Sequence, residues 1–222
     1  MTPREHLDTA HIPGGDDLKL YRRGDDHIIV LDRNELMNSR MSGSEEALAT
    51  MAAERLKGRA GQRWLIGGYG MGFTLRAALR SLAGDAAVEV VELVPEIIDW
   101  ARGPMETLTD GCLDDPRVSV TLGDVGEAIG KARGKFDAIL LDVDNGPDGL
   151  VRAANDGLYG TQGIAAARAA LKPGGVVAYW SAGPDRAFTK RLKTSGMAVD
   201  EVTVRARANG KGPRHTIWFA SR

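Results

Sequence analysis

Hydrophobic and polar residues follow two different patterns along this chain. Near its start, two β-type runs, Leu18–Arg22 and His27–Leu31, flank the turn signal Arg23-Gly24-Asp25-Asp26, which predicts a β-hairpin. From residue 42 onward, short apolar runs alternate with segments whose apolar residues recur every three to four positions. This second pattern predicts strands that alternate with helices and pair into a parallel sheet.

Seven strands are predicted in this second region. They are Arg63–Ile66, Ala87–Glu92, Arg117–Leu122, Phe136–Leu141, Val176–Trp180, Ala198–Val204 and His215–Ala220. Only a Gly-rich loop joins the last two, and a connection without a crossover helix forces neighbouring strands to be antiparallel. We therefore predict an α/β, Rossmann-like, doubly wound and mostly parallel seven-stranded sheet that ends in an antiparallel hairpin. Residues 42–222 would form this domain, and residues 1–41 a short N-terminal extension with the β-hairpin.

Composition narrows the class of protein. Among 222 residues, 29 Lys and Arg nearly balance 30 Asp and Glu, so the basic surface typical of nucleic-acid binding is not expected. Cys112 is the sole cysteine, which excludes an internal disulfide and a cysteine-based zinc site. The charged N-terminus does not resemble a signal peptide, and no apolar run is long enough to span a bilayer. We therefore expect a cytoplasmic protein without membrane or nucleic-acid partners.

Glycines follow the first strand of the predicted sheet, where open α/β sheets bind their ligands. The segment Gly67-Gly68-Tyr69-Gly70-Met71-Gly72 would let a ligand approach the backbone closely. Its spacing is G-x-G-x-G, and Phe73 occupies the position where a dinucleotide fingerprint needs a small residue. The spacing therefore counts against NAD or FAD.

Acidic residues end the next three strands. A carboxylate at Glu92 is suited to accept hydrogen bonds from both hydroxyls of a ribose. Asp124 is suited either to an adenine amino group or to capping the following helix, and both roles are compatible. The segment Asp142-Val143-Asp144-Asn145 would orient a nucleophile, take its proton or attract a cation. Metal ligation by the Asp-x-Asp pair is a third alternative.

Five segments together resemble the spermidine synthase family, within the class I S-adenosylmethionine-dependent methyltransferase superfamily. They are Leu65–Gly70, Val91–Ile98, Asp115–Asp124, Phe136–Asp142 and Leu171–Gly175. The resemblance covers roughly residues 40–182 and implies a site for S-adenosylmethionine or its decarboxylated form. It also implies a homodimer.

The sequence departs from this family where the amine substrate is held. The glycine loop of the family carries an Asp where this chain has Gly70, and a Tyr-Gln or Tyr-His pair of the family matches Leu48-Ala49. Asp142 remains at the position of the usual proton acceptor. We therefore predict an S-adenosylmethionine-dependent methyltransferase acting on a small-molecule acceptor. Alternatives are an aminopropyltransferase using decarboxylated S-adenosylmethionine, and a non-catalytic nucleoside-binding protein.

The resemblance and the strand ends together define the candidate residues. Those expected to bind the adenosyl compound are Gly67, Gly68, Tyr69, Gly70, Gly72, Glu92, Leu93, Gly123, Asp124, Val125 and Asp142. Asp142 is also the candidate catalytic residue. Those expected to contact the acceptor are Asp144, Asn145, Tyr159 and Trp180. No metal is expected, because Trp180-Ser181-Ala182-Gly183 stands where catechol O-methyltransferases carry the Asp-Asn pair that completes their metal site.

Overall fold

The computed structural model describes residues 3–12, 16–143 and 156–222, which contain two β-sheets. The first is a four-stranded antiparallel sheet with the order β1-β2-β3-β4. Its strands are β1 (Glu5–His11), β2 (Asp17–Arg23), β3 (Asp26–Leu31) and β4 (Asn34–Asn38). The predicted hairpin is β2 and β3, and a further strand flanks it on each side.

The second sheet has seven strands in the order β10-β11-β9-β8-β5-β6-β7. They are β5 (Arg63–Gly67), β6 (Ala87–Glu92), β7 (Val118–Leu122), β8 (Phe136–Leu141), β9 (Leu171–Ser181), β10 (Ala198–Arg205) and β11 (Arg214–Ser221). The pairs of β5 to β9 are parallel, and β11 pairs antiparallel with both β9 and β10. The predicted fold class is confirmed.

Eight α-helices and one 3-10 helix lie in the described part of the chain. They are α1 (Gly43–Arg55), α2 (Phe73–Ser81), α3 (Pro95–Arg102), α4 (Glu106–Thr109), a 3-10 helix (Cys112–Asp114), α5 (Val125–Lys131), α6 (Asp156–Tyr159), α7 (Thr161–Ala170) and α8 (Arg186–Thr194). In the same residues, no helix combines the length and the apolar character that crossing a membrane requires.

Strand β5 lies at the point where the order of the sheet reverses. The chain leaves β5 for β6 and β7 on one side, then returns to β8 on the other. Gly67 at the end of β5 pairs with both Val91 and Leu141, so the carboxyl ends of the three strands lie level. Ligands of open α/β sheets bind at this switch point.

The N-terminal sheet packs on the larger sheet through a shared hydrophobic cluster. Leu20 and Ile29 from β2 and β3 belong to the same buried cluster as Trp64 and Ile66 of β5. A hydrogen bond from Trp100 Nε1 to Asp8 Oδ2, 2.7 Å long, joins α3 to β1. Residues of β2, β3 and β4 line one wall of a cleft, and the carboxyl ends of the parallel strands line the other.

The spacing of Ser42 and Glu45 predicts a capping box at the start of α1. The structure does not form one. Ser42 is already helical and its side chain makes no capping bond. Instead, Ser44 Oγ lies 2.6 Å from Glu45 Oε2 and 2.8 Å from Nδ1 of His215. The bond to Ser44 helps hold the Glu45 carboxyl on the cleft side of the helix.

Candidate active site

The cleft at the switch point consists of two adjacent lobes. The first lobe has a volume of about 960 Å³ including the open space at its mouth. The second lobe measures about 520 Å³. Both lobes are lined by Leu36, Met37, Gly70, Asp142 and Val143, so ligands in the two lobes would lie next to each other.

The glycine loop after β5 lines the cleft with only some of its residues. Gly68 and Gly70 face the first lobe, and Tyr69 and Gly70 face the second. Gly67 and Gly72 do not line either lobe. A Cβ at Gly67 would lie 2.9 Å from side-chain atoms of Leu141 and Val125, and one at Gly72 would lie 2.6 Å from the Tyr69 hydroxyl. These two glycines allow the turn to pack tightly.

Glu92, at the end of β6, holds the glycine loop as well as facing the first lobe. Its Oε2 accepts a hydrogen bond from the Tyr69 N–H and its Oε1 accepts one from the Val94 N–H, each 2.8 Å long. Only 7% of the residue is exposed, and burial raises the pKa of its carboxyl despite these two bonds. The carboxylate and the loop are thus in direct contact.

The turn after β7 supplies the far end of the first lobe. Gly123, Asp124 and Val125 line it, together with Leu93. Asp124 Oδ1 accepts a hydrogen bond from the Glu127 N–H at 3.1 Å and caps α5. The helix-capping role of Asp124 is therefore present, and contact with an adenine amino group stays a prediction.

Asp142 lies between the two lobes, directly after β8. Its backbone N–H donates to the Gly67 carbonyl at 3.0 Å, and its Oδ2 accepts a hydrogen bond from Thr74 Oγ1 at 2.8 Å. Burial raises the pKa of the Asp142 carboxyl to about 6, against the effect of the Thr74 hydroxyl. A carboxylate of this kind can accept a proton near neutral pH.

Glu45 brings a second carboxyl group into the second lobe. The Thr74 hydroxyl, which binds Asp142, also lies 3.4 Å from the backbone carbonyl of Glu45. Burial, and next the neighbouring charge of Asp142, raises the pKa of Glu45 to about 8. Neither Lys nor Arg lines the described part of either lobe, so the cleft favours a cationic ligand.

The residues predicted to contact the acceptor are placed differently from one another. Trp180 lines the second lobe. Tyr159 packs against Tyr179 and Phe188 in the hydrophobic cluster on the other face of the sheet and does not line either lobe. Asp144 and Asn145 lie outside the described residues.

A metal centre is not evident among the described residues, which contain no group of three or more His, Cys, Asp or Glu side chains close enough to share an ion. Asp144 lies outside the described residues, so only Asp142 of the Asp-x-Asp pair can be placed. The expectation that no metal is bound stays a prediction.

Sequence reasoning missed the residues that reach the cleft from outside the strand ends. Ile12, which follows β1, and Leu18 and Ile29 of the N-terminal sheet line the first lobe. Glu45 and Phe73, near the starts of α1 and α2, line the second. Leu18 and Leu20 alternate along β2, and Ile29 lies on the neighbouring β3. This pattern predicts an apolar sheet face that packs against another part of the protein, and it was the sequence signal for the apolar wall.

A family model supports the resemblance drawn from the sequence. The fold and the cleft define a Rossmann-like α/β protein with a ligand cleft at the switch point of its sheet. The model described as "Spermine/spermidine synthase domain" matches residues 41–186. The chain therefore belongs to the spermine/spermidine synthase domain family.

Relatives with curated names contradict the prediction of methyl transfer. The chain is 34% identical over 148 residues to polyamine aminopropyltransferase 1 of Streptomyces coelicolor, a match that covers 63% of this chain and 27% of the relative. It is 34% identical over 147 residues to polyamine aminopropyltransferase of Mycobacterium tuberculosis, again covering 63% and 27%. The matched part of the chain thus spans about a quarter of these relatives. The methyltransferase prediction rested on the changes at Gly70 and Leu48-Ala49. Of these three residues only Gly70 lines the second lobe, which Glu45 of α1 also lines.

Solved structures agree on the fold. Spermidine synthase from Thermotoga maritima superposes with a TM-score of 0.78 at 20% identity, covering 97% of this chain and 72% of the other. A probable spermidine synthase from Corynebacterium glutamicum gives a TM-score of 0.68 at 13% identity, with 100% and 81% coverage. Because the first superposition covers 97% of the chain, the N-terminal sheet belongs to the shared fold.

Proposed function

We propose that this protein is an aminopropyltransferase that transfers the aminopropyl group of decarboxylated S-adenosylmethionine to a small amine. The observation that carries the proposal is the pair of adjacent lobes that share the buried Asp142 in their lining. One lobe suits an adenosyl donor and the other suits an amine acceptor. The names of the relatives support the same reaction.

The first lobe fits the adenosyl part of the donor. Its glycines permit close approach, Glu92 offers carboxylate oxygens for the ribose hydroxyls, and Asp124 offers one for the adenine amino group. The apolar residues of the N-terminal sheet would cover the adenosyl group and exclude water. A lobe with carboxyl groups and no Lys or Arg among its described lining disfavours nucleotide phosphates and favours the positive sulfonium of this donor.

Asp142 would act where the two lobes meet. The acceptor amine attacks the propyl carbon that is bonded to sulfur, so a C–N bond forms and the C–S bond breaks. The electron pair of that bond goes to sulfur, and methylthioadenosine is released. The proton lost by the amine goes to the Asp142 carboxylate, whose pKa of about 6 keeps it ionised at neutral pH. The protein otherwise contributes by positioning the reactants and excluding water.

Product analysis tests this proposal. The protein is incubated with decarboxylated S-adenosylmethionine and a panel of diamines and polyamines, and the products are separated by chromatography. We expect methylthioadenosine and an aminopropylated amine in equal amounts. Parallel reactions with S-adenosylmethionine should give no S-adenosylhomocysteine.

Two results would overturn the proposal. One is methylthioadenosine that does not exceed the amount in a reaction without amine. The other is binding of the donor without turnover of any acceptor in the panel, as expected of a non-catalytic nucleoside-binding protein. The Asp142→Asn variant provides the control, because it keeps the shape of the site and removes the proton acceptor.

A further inference from the structure

Two carboxyl groups meet in the second lobe without a cation to balance them. Glu45 and Asp142 both line it, and Thr74 Oγ1 lies within 2.8 Å of one side chain and 3.4 Å of the backbone of the other. In the described part of the chain, neither residue takes part in an ion pair. Paired buried carboxyl groups repel one another unless a proton or a cation lies between them.

The rest of the lobe has the character of a site for an alkyl chain with polar ends. Met37, Tyr69, Phe73 and Trp180 contribute apolar surface to its lining. Trp180 is only 8% exposed, and its indole Nε1 has no hydrogen-bond partner among the described residues. A buried donor of this kind requires a polar partner, which points to a lobe that holds a polar occupant.

The glycine loop offers no carboxyl group to this lobe. Gly70 has a φ of +55°, and a Cβ placed on it would lie 3.0 Å from Sδ of Met37. Met37, from β4, thus occupies the space into which a side chain at residue 70 would extend. Any second carboxylate for an amine must come from another element, and α1 supplies it through Glu45.

The Glu45 carboxyl is held in place from behind. Ser44 Oγ lies between Glu45 Oε2 and His215 Nδ1. A hydroxyl has one proton, so donation to Glu45 requires Nδ1 of His215 to donate to Ser44. The burial of His215 lowers its pKa, which suits a neutral ring in this tautomer. The bond from Ser44 therefore fixes one oxygen of the Glu45 carboxyl group.

From this geometry we infer that Glu45 is the acceptor-binding residue of the second lobe, and that Glu45 and Asp142 bind one ammonium group of the acceptor between them. The inference rests on the proposed function and names the residue that selects a cationic alkyl amine. Asp142 takes one proton from this ammonium group and so frees the nitrogen lone pair for attack, while Glu45 keeps a hydrogen bond to the same nitrogen. The alkyl chain lies along Met37, Phe73 and Trp180.

The Glu45→Gln variant tests the inference, with Glu46→Gln as the matched control. Glu46 is the next residue of α1 and pairs with Arg80 at 3.5 Å, away from both lobes. Losing one charge-assisted hydrogen bond should raise the KM for putrescine about tenfold or more in Glu45→Gln. The affinity for methylthioadenosine without amine should stay within about twofold of wild type, because only amine binding loses an interaction. Glu46→Gln should leave both unchanged.

Putrescine binding, measured by calorimetry with methylthioadenosine present, separates this inference from the proposed function. Wild-type binding that Glu45→Gln weakens supports the inference even if no product forms. An unchanged KM and affinity for putrescine in a folded Glu45→Gln variant would overturn it while leaving aminopropyl transfer in place. Absence of putrescine binding to the wild type would also overturn it. The Glu45→Asp variant, which keeps the charge, should recover part of the lost affinity.

Discussion

Glu45 and Asp142 make the stability of the ligand-free protein depend on pH. Their pKa values in the folded protein are about 8 and about 6, compared with ordinary values of 4.5 and 3.8. The folded protein therefore retains protons that the unfolded chain has already lost. The stabilisation is complete below the ordinary values and is lost as the pH rises through the folded ones.

We expect Glu45→Gln to remove most of this dependence, because an amide does not titrate. Of the charged groups near Glu45, Asp142 and Glu46 act on its pKa, and His215 reaches it through Ser44. The melting temperature of Glu45→Gln should rise progressively above that of wild type between pH 4.5 and about pH 8. Thermal unfolding at several pH values measures this. A constant difference across that range would contradict the prediction.

Glu92 has a structural role that the sequence did not reveal, since both of its oxygens already accept backbone N–H groups. Glu92→Ala should leave these two buried donors without partners, at a cost of about 1–3 kcal/mol in the free energy of unfolding. It should also weaken methylthioadenosine binding. Urea denaturation and calorimetry measure the two effects. A folded variant with unchanged affinity would remove Glu92 from the binding site.

A matched control for this variant lies on the same strand. Glu89 of β6 forms an ion pair with Lys135 at 2.7 Å, away from the cleft. Because a partly exposed pair of this kind contributes little, Glu89→Ala should bind methylthioadenosine like wild type.

The turn from β5 to α2 depends on Gly68 for its conformation. Its φ is +80°, and a Cβ there would lie 2.7 Å from the carbonyl oxygen of Asp142. Gly68→Ala should therefore lower the free energy of unfolding by about 1–3 kcal/mol, through backbone strain and the displaced loop. Gly84→Ala is the control, since a Cβ at Gly84 has no neighbour within 4 Å. Equal stability of the two variants in urea would contradict this account.

Strands differ in how well their sequences predict them. The interior strands β5, β8 and β9 each contain an apolar run, namely Trp64–Ile66, Ala138–Leu141 and Val176–Trp180. These runs and the turns beside them identify the strands. Strand β1 has a mixed sequence of which only Ala10 is fully buried, and β4 is largely polar. Both strands form because their backbones pair with the hairpin next to them, which no local pattern reports.

The two sheets share one hydrophobic cluster, which includes Leu20, Ile29 and Trp64. Separating them would expose apolar surface on both, so we expect a single cooperative unfolding transition rather than two. Differential scanning calorimetry tests this through the ratio of calorimetric to van't Hoff enthalpy. Two resolved transitions would contradict this expectation and would favour two separately unfolding domains, residues 1–41 and 42–222. The homodimer implied by the family resemblance stays a prediction.

Local pattern was enough to derive the seven strands of the larger sheet, its antiparallel end and the residues at the switch point. Periodicity and turn residues are encoded by near neighbours, and parallel strands necessarily end at the same edge. Gly68, Glu92 and Asp142 could therefore be placed together before any coordinates were known.

Long-range packing decided the remainder of the cleft. The sequence places Glu45 in a capping box at the start of a helix. In the structure, its neighbour Ser44 is hydrogen-bonded to His215, which lies 171 positions further along the chain. Met37 fills the space beside Gly70 only because β4 pairs with β3 and the whole N-terminal sheet lies over the loop. Contacts between distant segments depend on how whole helices and strands pack together. The sequence of one short segment does not specify which distant residues it will contact.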